Sequence, residues 1–395
     1  MIRALRVGVF ALLSLVTVSG QSAAVPHDVY VWQRQWTQAL RTALTDSRDL
    51  FAAVRVLVAQ AGRDGRWLTT DADPRAFAGD ARARIAVVRY DGAGSPPDTA
   101  SLIPFLRDLL DRWRDGGAAF AGVEIDYDCA SARLADYAQR VRLVRAALPA
   151  DVSLSITALP VWIGESALGD LLAATDEAVL QVHSVQNPRD GLFLADDAER
   201  WVRRFAAQTR RDFRVAVPAY GSRIRFDNEG RAIAVENEMA VDATRADSSR
   251  EMDVDPAGVA TLLRRIAEDS PPNLKGIVWF RLPVAGDRRT WTLAAIREVV
   301  AGHVPTARIS AVTIARDNGA ADIFVVNDSV ADARASALHV AGSGCSDGDA
   351  AAGWQGERVA QGWRFVADGA QRIRAGTRRA VGWVRCKDIA ATRVE

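Results

Sequence analysis

The chain has 395 residues, with Lys+Arg 50 against Asp+Glu 49 and a formal net charge of +1. Near-neutral charge with scattered basic residues argues against a nucleic-acid binder that works through a strong positive field, so no nucleic-acid partner is expected. The length exceeds one small domain and leaves room for a large barrel plus an accessory module.

The first residues read differently from the rest. Arg3 and Arg6 precede an apolar run from Val7 to Val18, and Ser22-Ala23-Ala24 follows as a small-residue cleavage site, so residues 1–24 are expected to be a secretory signal peptide. The run is shorter than the ~20 apolar residues a spanning helix needs. No stable membrane insertion is therefore expected after cleavage, and the mature protein is expected to be periplasmic or secreted. Export would allow a disulfide between Cys345 and Cys386, with Cys129 left over; three small buried thiols are the alternative.

From there, short β-rich runs alternate with longer amphipathic segments. Predicted strands are Val29–Trp36, Val54–Ala61, Ile85–Tyr90, Gly122–Asp128, Ser153–Leu159, Ala178–Val185, Arg214–Tyr220 and Gly276–Arg281. Predicted helices include Ser101–Trp113, Leu134–Leu148, Ala198–Gln208, Val259–Glu268 and Thr290–Val300. Leu134, Ala138, Val141 and Leu148 form one apolar stripe at helical spacing. Regular βα alternation of this extent predicts an α/β fold, an eight-stranded β/α (TIM) barrel over residues 25–304. A doubly wound sheet would want a Gly-rich phosphate loop after a strand, and none follows.

One interval interrupts the alternation, about 222–256. Arg223–Phe226 and Arg231–Val235 flank Asp227-Asn228-Glu229-Gly230, which predicts a hairpin, and Asp242 to Asp255 reads as a polar lid or loop. Beyond about Pro305 the runs Ile309–Ala315, Ile323–Val326, Ala335–Val340, Trp363–Val366 and Ala380–Val384 alternate between Gly- and Asp-rich turns. Residues 305–395 thus predict a small β-sandwich-like, all-β C-terminal module.

The most informative stretch is Ala121-Gly122-Val123-Glu124-Ile125-Asp126-Tyr127-Asp128-Cys129. Strand side chains alternate, so Glu124, Asp126 and Asp128 share one face and Val123, Ile125 and Tyr127 the other. Acids crowded on one face raise each other's pKa unless solvent, cations or a polar ligand meets them, so such a face points to a site. Barrel enzymes carry functional groups at the C-terminal ends of strands. Those ends hold Trp32, Arg34 and Trp36; Gln60; Arg89, Tyr90 and Asp91; the three acids; Thr157 and Pro160; Gln181, His183 and Gln186; Pro218 and Tyr220; and Trp279, Phe280 and Arg281. Acids, aromatics and amides together suit carbohydrate, whose apolar CH faces meet Trp and Tyr while its hydroxyls need donors and acceptors.

Other chemistries fit less well. No Gly-x-Ser-x-Gly elbow marks a serine nucleophile, and His27, His183, His303 and His339 lack ligand spacing. The acids could in principle hold a hard cation, yet they lie along one strand rather than in a looped cage, so neither metal nor cofactor is expected.

Gly122-Val123-Glu124-Ile125-Asp126-Tyr127-Asp128 resembles the strand-four signature of family-18 glycoside hydrolases, the chitinase-like barrels, which runs Asp-Gly-x-Asp-x-Asp-x-Glu. Val217-Pro218-Ala219-Tyr220-Gly221 is similar to that family's strand-seven Pro-x-Tyr-Gly, and Gly276-Ile277-Val278-Trp279-Phe280 to its strand eight with the site-floor Trp. The departures are Ala121 and Glu124 for two aspartates, Asp128 for the catalytic Glu, and Gln181-Val182-His183-Ser184 for the strand-six Met-x-Tyr-Asp. A closer resemblance is to the secreted bacterial family called domain of unknown function 3142, on the Asp-Tyr-Asp-Cys stretch and the following Leu134-Ala135-Asp136-Tyr137.

The resemblance implies Asp128 as general acid with Asp126 assisting. Glu124, Trp32, Arg89, Tyr90, His183, Tyr220, Trp279 and Arg281 are the expected substrate-binding residues. The expected function is an exported glycoside-hydrolase-like protein acting on an envelope or extracellular polysaccharide or oligosaccharide. A non-catalytic carbohydrate-binding or envelope-assembly protein on a degenerate barrel is the alternative.

Overall fold

The computed structural model describes residues 25–62, 66–90, 98–183, 191–229, 231–236 and 248–395. The predicted signal peptide, Asp91, Ser184 to Gln186, Gly230 and the start of the predicted lid lie outside them.

Eight parallel strands close into a barrel: β1 His27–Val31, β2 Ala53–Ala61, β3 Ala83–Tyr90, β4 Gly122–Tyr127, β5 Ser153–Ala158, β6 Glu177–Gln181, β7 Asp212–Pro218 and β8 Leu274–Phe280. Each pairs with its neighbours in sequence, and β1 closes the ring by pairing with both β2 and β8. The helices are α1 Gln38–Asp46, α2 Thr99–Asp115, α3 Leu134–Ala147, α4 Ser166–Ala173, α5 Ala195–Gln208, α6 Pro256–Glu268 and α7 Leu293–Val300. Side chains of Thr37, Asp98, Asp255 and Thr292 accept first-turn N–H groups and so start α1, α2, α6 and α7. Among the described residues the β2–β3 connection has no α-helix. Its place is taken by a short strand, Trp67–Thr69, antiparallel to β2, and a 3-10 turn, Pro74–Phe77, capped by Asp73.

Alternation along each strand sorts side chains into two cores. Outward residues such as Val123, Ile125 and Tyr127 pack against the helices, where Tyr137 of α3 meets Tyr127 at 5.2 Å between ring centroids. Inward residues form a smaller cluster of Tyr30, Trp32, Leu57, Val87, Val179, Ala216 and Val278. Near the strand N-termini several inward positions are charged, including Asp28, Arg55, Glu177 and Arg214. Gly276 stands among them because a Cβ there would collide with the Arg214 guanidinium, and Gly122 because a Cβ would collide with the Ser153 hydroxyl.

After β7 the strand Gly221–Phe226 pairs antiparallel with Ala232–Glu236, as the turn chemistry predicts. It also pairs with Ser248–Asp253, so the second half of the predicted lid is the third strand of a small sheet. An alternation this short and polar carries no apolar period to reveal it.

The C-terminal module has eight strands: β9 Ile309–Ala315, β10 Ala321–Asn327, β11 Ala333–Ser343, β12 Asp347–Ala350, β13 Trp354–Val359, β14 Gly362–Ile373, β15 Thr377–Arg385 and β16 Asp388–Val394. They form two antiparallel sheets, in the orders β9-β10-β15-β12 and β13-β14-β11-β16, around Ile323, Val325, Leu338, Val340, Phe365 and Val381. The polar strands β12, β13 and β16 escape a search for apolar alternation. Cys345 and Cys386 are disulfide-bonded, and Cys129 is free and buried. The module touches the barrel through Arg334 and Arg372 on Asp253, at 2.6 and 2.7 Å, and through Thr292 Oγ1 donating to the Val330 carbonyl. Among the described residues no helix is long and apolar enough to cross a membrane.

Candidate active site at the barrel mouth

Glu124 and Asp126 of β4 and Asp128 just after it fall into two layers. Glu124 is fully buried in the lower one. Tyr30 Oη donates to its Oε1 at 2.5 Å, while Arg55 Nη1 donates to Oε2. Arg55 also reaches Asp28 at 3.3 Å and Glu177 at 2.8 Å, and Arg214 reaches the same two acids. Groups from β1, β2, β4, β6 and β7 meet here across the barrel axis. The layer is a neutralising plug. Glu124, expected to touch substrate, therefore serves the barrel interior, because both its oxygens are taken by groups below the mouth. One clue to the plug was visible in advance: Arg55 stands in the middle of the apolar run Ala53–Ala61, where a lone cation needs buried partners.

Asp126 lies one step higher and is also buried. Thr157 Oγ1 donates to its Oδ1 at 2.8 Å, Gln181 Nε2 to the same oxygen at 3.4 Å, and Arg89 Nη1 to Oδ2 at 3.3 Å. Strands β5, β6 and β3 thus hold it from three sides.

Asp128 follows the end of β4. Its chain is pinned by Cys129 N–H donating to the Tyr127 carbonyl at 2.8 Å and by Trp162 Nε1 donating to the Cys129 carbonyl at 2.9 Å. The side chain is 35% exposed, and Arg89 Nη2 lies 3.8 Å from Oδ2. Oδ1 is enclosed and has no hydrogen-bond partner among the described residues. Burial, reinforced by the charge of Asp126 and opposed by Arg89, pushes the Asp128 carboxyl up to about 7.

Around these acids stand Trp32, with the Arg89 guanidinium 5.4 Å over its ring, and Phe280, 5.0 Å from Trp32. His183 stacks on Phe280 at 5.3 Å, and Tyr220 Oη lies 3.4 Å from His183 Nδ1. Burial lowers His183 to about 4 and raises Tyr220 to about 12. Arg281 is buried and tied to Asp287 at 2.7 Å, with its charge felt at Tyr220. The predicted residues Asp128, Asp126, Trp32, Arg89, His183 and Tyr220 are brought together.

Tyr90 and Trp279, expected to face a sugar, do not. Tyr90 packs outward on Trp67 and Tyr127, and Trp279 on Trp291 while donating Nε1–H to His27 Nδ1 at 3.0 Å. Each sits one residue from an inward side chain, Arg89 or Phe280. With a period of two, neighbours necessarily face opposite ways. Phe280 is thus the aromatic that strand eight offers the mouth.

Among the described residues no group of three or more His, Cys, Asp or Glu side chains is arranged to hold a metal ion. The arrangement offers a carboxyl that titrates near neutrality, a neighbour held by three donors, and an aromatic wall.

The family described as domain of unknown function (DUF3142) matches residues 80–285, more than half of the chain. The chain belongs to that family. Residues 310–387 of this DUF3142 protein match a second one, domain of unknown function (DUF8456). The spore cortex-lytic enzyme SleL of Bacillus cereus is similar in structure, with a TM-score of 0.52, 11% identity, and coverage of 71% of this chain and 74% of that one. A chitinase from Chromobacterium violaceum gives a TM-score of 0.46 at 17% identity over 70% of this chain and 99% of its own. At such identities the likeness to SleL is one of fold alone, a β/α barrel. No curated protein matches the sequence.

Proposed function

We propose that this protein is an exported glycoside hydrolase acting on an envelope or extracellular polysaccharide. Asp128 is its general acid, kept protonated by burial and, after that, by the charge of Asp126. The carrying observation is the unequal pair at the end of β4: Asp126 accepts from three side chains, while Asp128 keeps one oxygen without a partner among the described residues and titrates near 7. A carboxyl raised to about 7 beside a fully hydrogen-bonded neighbour suits acid catalysis at neutral pH. The barrel shared with a cortex-lytic enzyme supports a wall-type glycan as substrate class. Export is supported by the N-terminal pattern and the Cys345–Cys386 bond.

In the reaction, the Asp128 carboxyl gives its proton to the glycosidic oxygen as the bond breaks, and water adds to the anomeric carbon and returns a proton to the carboxylate. Arg89 faces the carboxylate between the two steps. Trp32 and Phe280 exclude water from one side of the mouth.

The Arg89–Asp128 approach of 3.8 Å favours a second reading, a binder in which that pair is only structural. The protein without its first 24 residues, incubated with oligomers of chitin, peptidoglycan and exopolysaccharide across about pH 4–8, separates the two. Hydrolysis abolished by Asp128→Asn supports the enzyme. Retention on a polymer without turnover, unchanged by Asp128→Asn, supports the binder.

A further inference from the structure

His183 and Tyr220 meet edge-on at the mouth, with rings at 87° and the phenol oxygen 3.4 Å from Nδ1. Two placements of hydrogen satisfy that contact. In one, Nδ1–H donates to the phenol oxygen, which leaves the phenol hydrogen and a bare Nε2 both unmatched. In the other, the phenol donates to a bare Nδ1 and only the hydrogen on Nε2 is unmatched. The Tyr220 hydroxyl has no other partner among the described residues, so the second placement leaves one orphan where the first leaves two. Burial keeps the imidazole neutral at ordinary pH, so the two nitrogens are not protonated together.

Nε2 is enclosed and has no partner among the described residues, as is true of Asp128 Oδ1. A native fold rarely leaves such atoms unmatched, and those it does leave call for a reason. A chain of contacts links the two. His183 stacks on Phe280, Phe280 packs on Trp32, Arg89 lies over Trp32, and Arg89 reaches Asp128. Resting on the carbohydrate reading above, we propose that Tyr220 fixes His183 in its Nε2–H form, so that Nε2–H donates to an acceptor oxygen of the bound sugar beside Asp128. His183 is then a substrate-binding residue and Tyr220 a positioning residue. A protonated Asp128 and an Nε2–H both present hydrogens, so the ligand's oxygens meet them as acceptors. A sugar lacking oxygen at that position would leave the buried N–H unmatched and be rejected.

Nitrogen-15 NMR of the imidazole side chains in the full mature chain reads the hydrogen directly. For His183 the expected pattern is a bare Nδ1 and a protonated Nε2, with Tyr220→Phe shifting it to a mixture. A protonated Nδ1 in the wild type overturns the inference and leaves the carbohydrate reading intact. Retention on insoluble chitin and on peptidoglycan at neutral pH reads the second half, with thermal unfolding followed in parallel. Where the wild type is retained, His183→Gln, which keeps an N–H donor, is expected to hold, while an equally stable His183→Leu loses at least about tenfold in retention. Equal retention by His183→Leu overturns the donor role. A wild type retained neither on these polymers nor on an extracellular polysaccharide, with the Nε2–H pattern present, overturns the carbohydrate reading and with it the sugar half of this inference.

Discussion

Glu124 and Asp128 leave the same strand on the same side, yet they belong to different regions of the barrel. In the lower layer, Arg55 and Arg214 meet Asp28, Glu124 and Glu177, and the carboxylates are matched by guanidinium hydrogens. At the mouth, one guanidinium is shared between Asp126 and Asp128, and an oxygen of Asp128 stays without a partner among the described residues. A carboxylate whose lone pairs are filled from within holds a barrel together. One that is half-enclosed and short of donors is held ready to exchange a proton.

The contrast can be broken from either side. The largest effect is expected from Arg55→Met, which leaves Asp28, Glu124 and Glu177 without their shared cation. Removing one partner of a buried ionic cluster costs about 3–5 kcal/mol, readable by urea unfolding; a variant as stable as wild type would show that the plug contributes nothing. Asp128→Asn is expected to keep the fold and lose about 10²–10⁴-fold in kcat, the usual worth of a general acid, on any polymer the wild type hydrolyses. Retention of most of that activity would move the acid elsewhere.

Two pH experiments sharpen the same point. With Asp128 titrating near 7, activity should be flat on its acid side and fall about tenfold per unit above it. Stability should show the other face of the shift. From an ordinary 3.8 to about 7, the folded state keeps a proton that the unfolded state has released, so wild-type stability falls as pH rises through that window. Asn has no such titration. The melting temperature of Asp128→Asn should therefore gain on wild type from about pH 4 to 7 and level off beyond, with no gain below pH 4. The smallest effect is expected from Trp279→Phe, on the order of 0.5–3 kcal/mol of stability with polymer binding unchanged, since that indole faces the helices. Lost binding at equal stability would return Trp279 to the mouth.

Much of this was legible along the chain. The barrel followed from apolar runs spaced by amphipathic segments, because strand and helix periods are local properties of backbone geometry. The shared face of Glu124, Asp126 and Asp128 followed from the same period of two. The β2–β3 connection was harder to read, since Asp73-Pro74 starts a single 3-10 turn where a helix would be the usual return. The strand Ser248–Asp253 was hidden because its pairing with Gly221–Phe226 rests on backbone bonds across a long insertion rather than on apolar alternation.

The architecture, the acidic face and its place at the end of strand four depend on residue spacing alone. Only the tertiary structure decided which acid is which. Arg55 comes from 69 residues before Glu124, and Thr157 and Gln181 reach Asp126 from 31 and 55 residues after it. Barrel closure alone brings them together. It also set the parity that turned Trp279 and Tyr90 outward and left Phe280 and Arg89 inside. Burial and partners settle a carboxyl's role, and both are properties of the closed barrel.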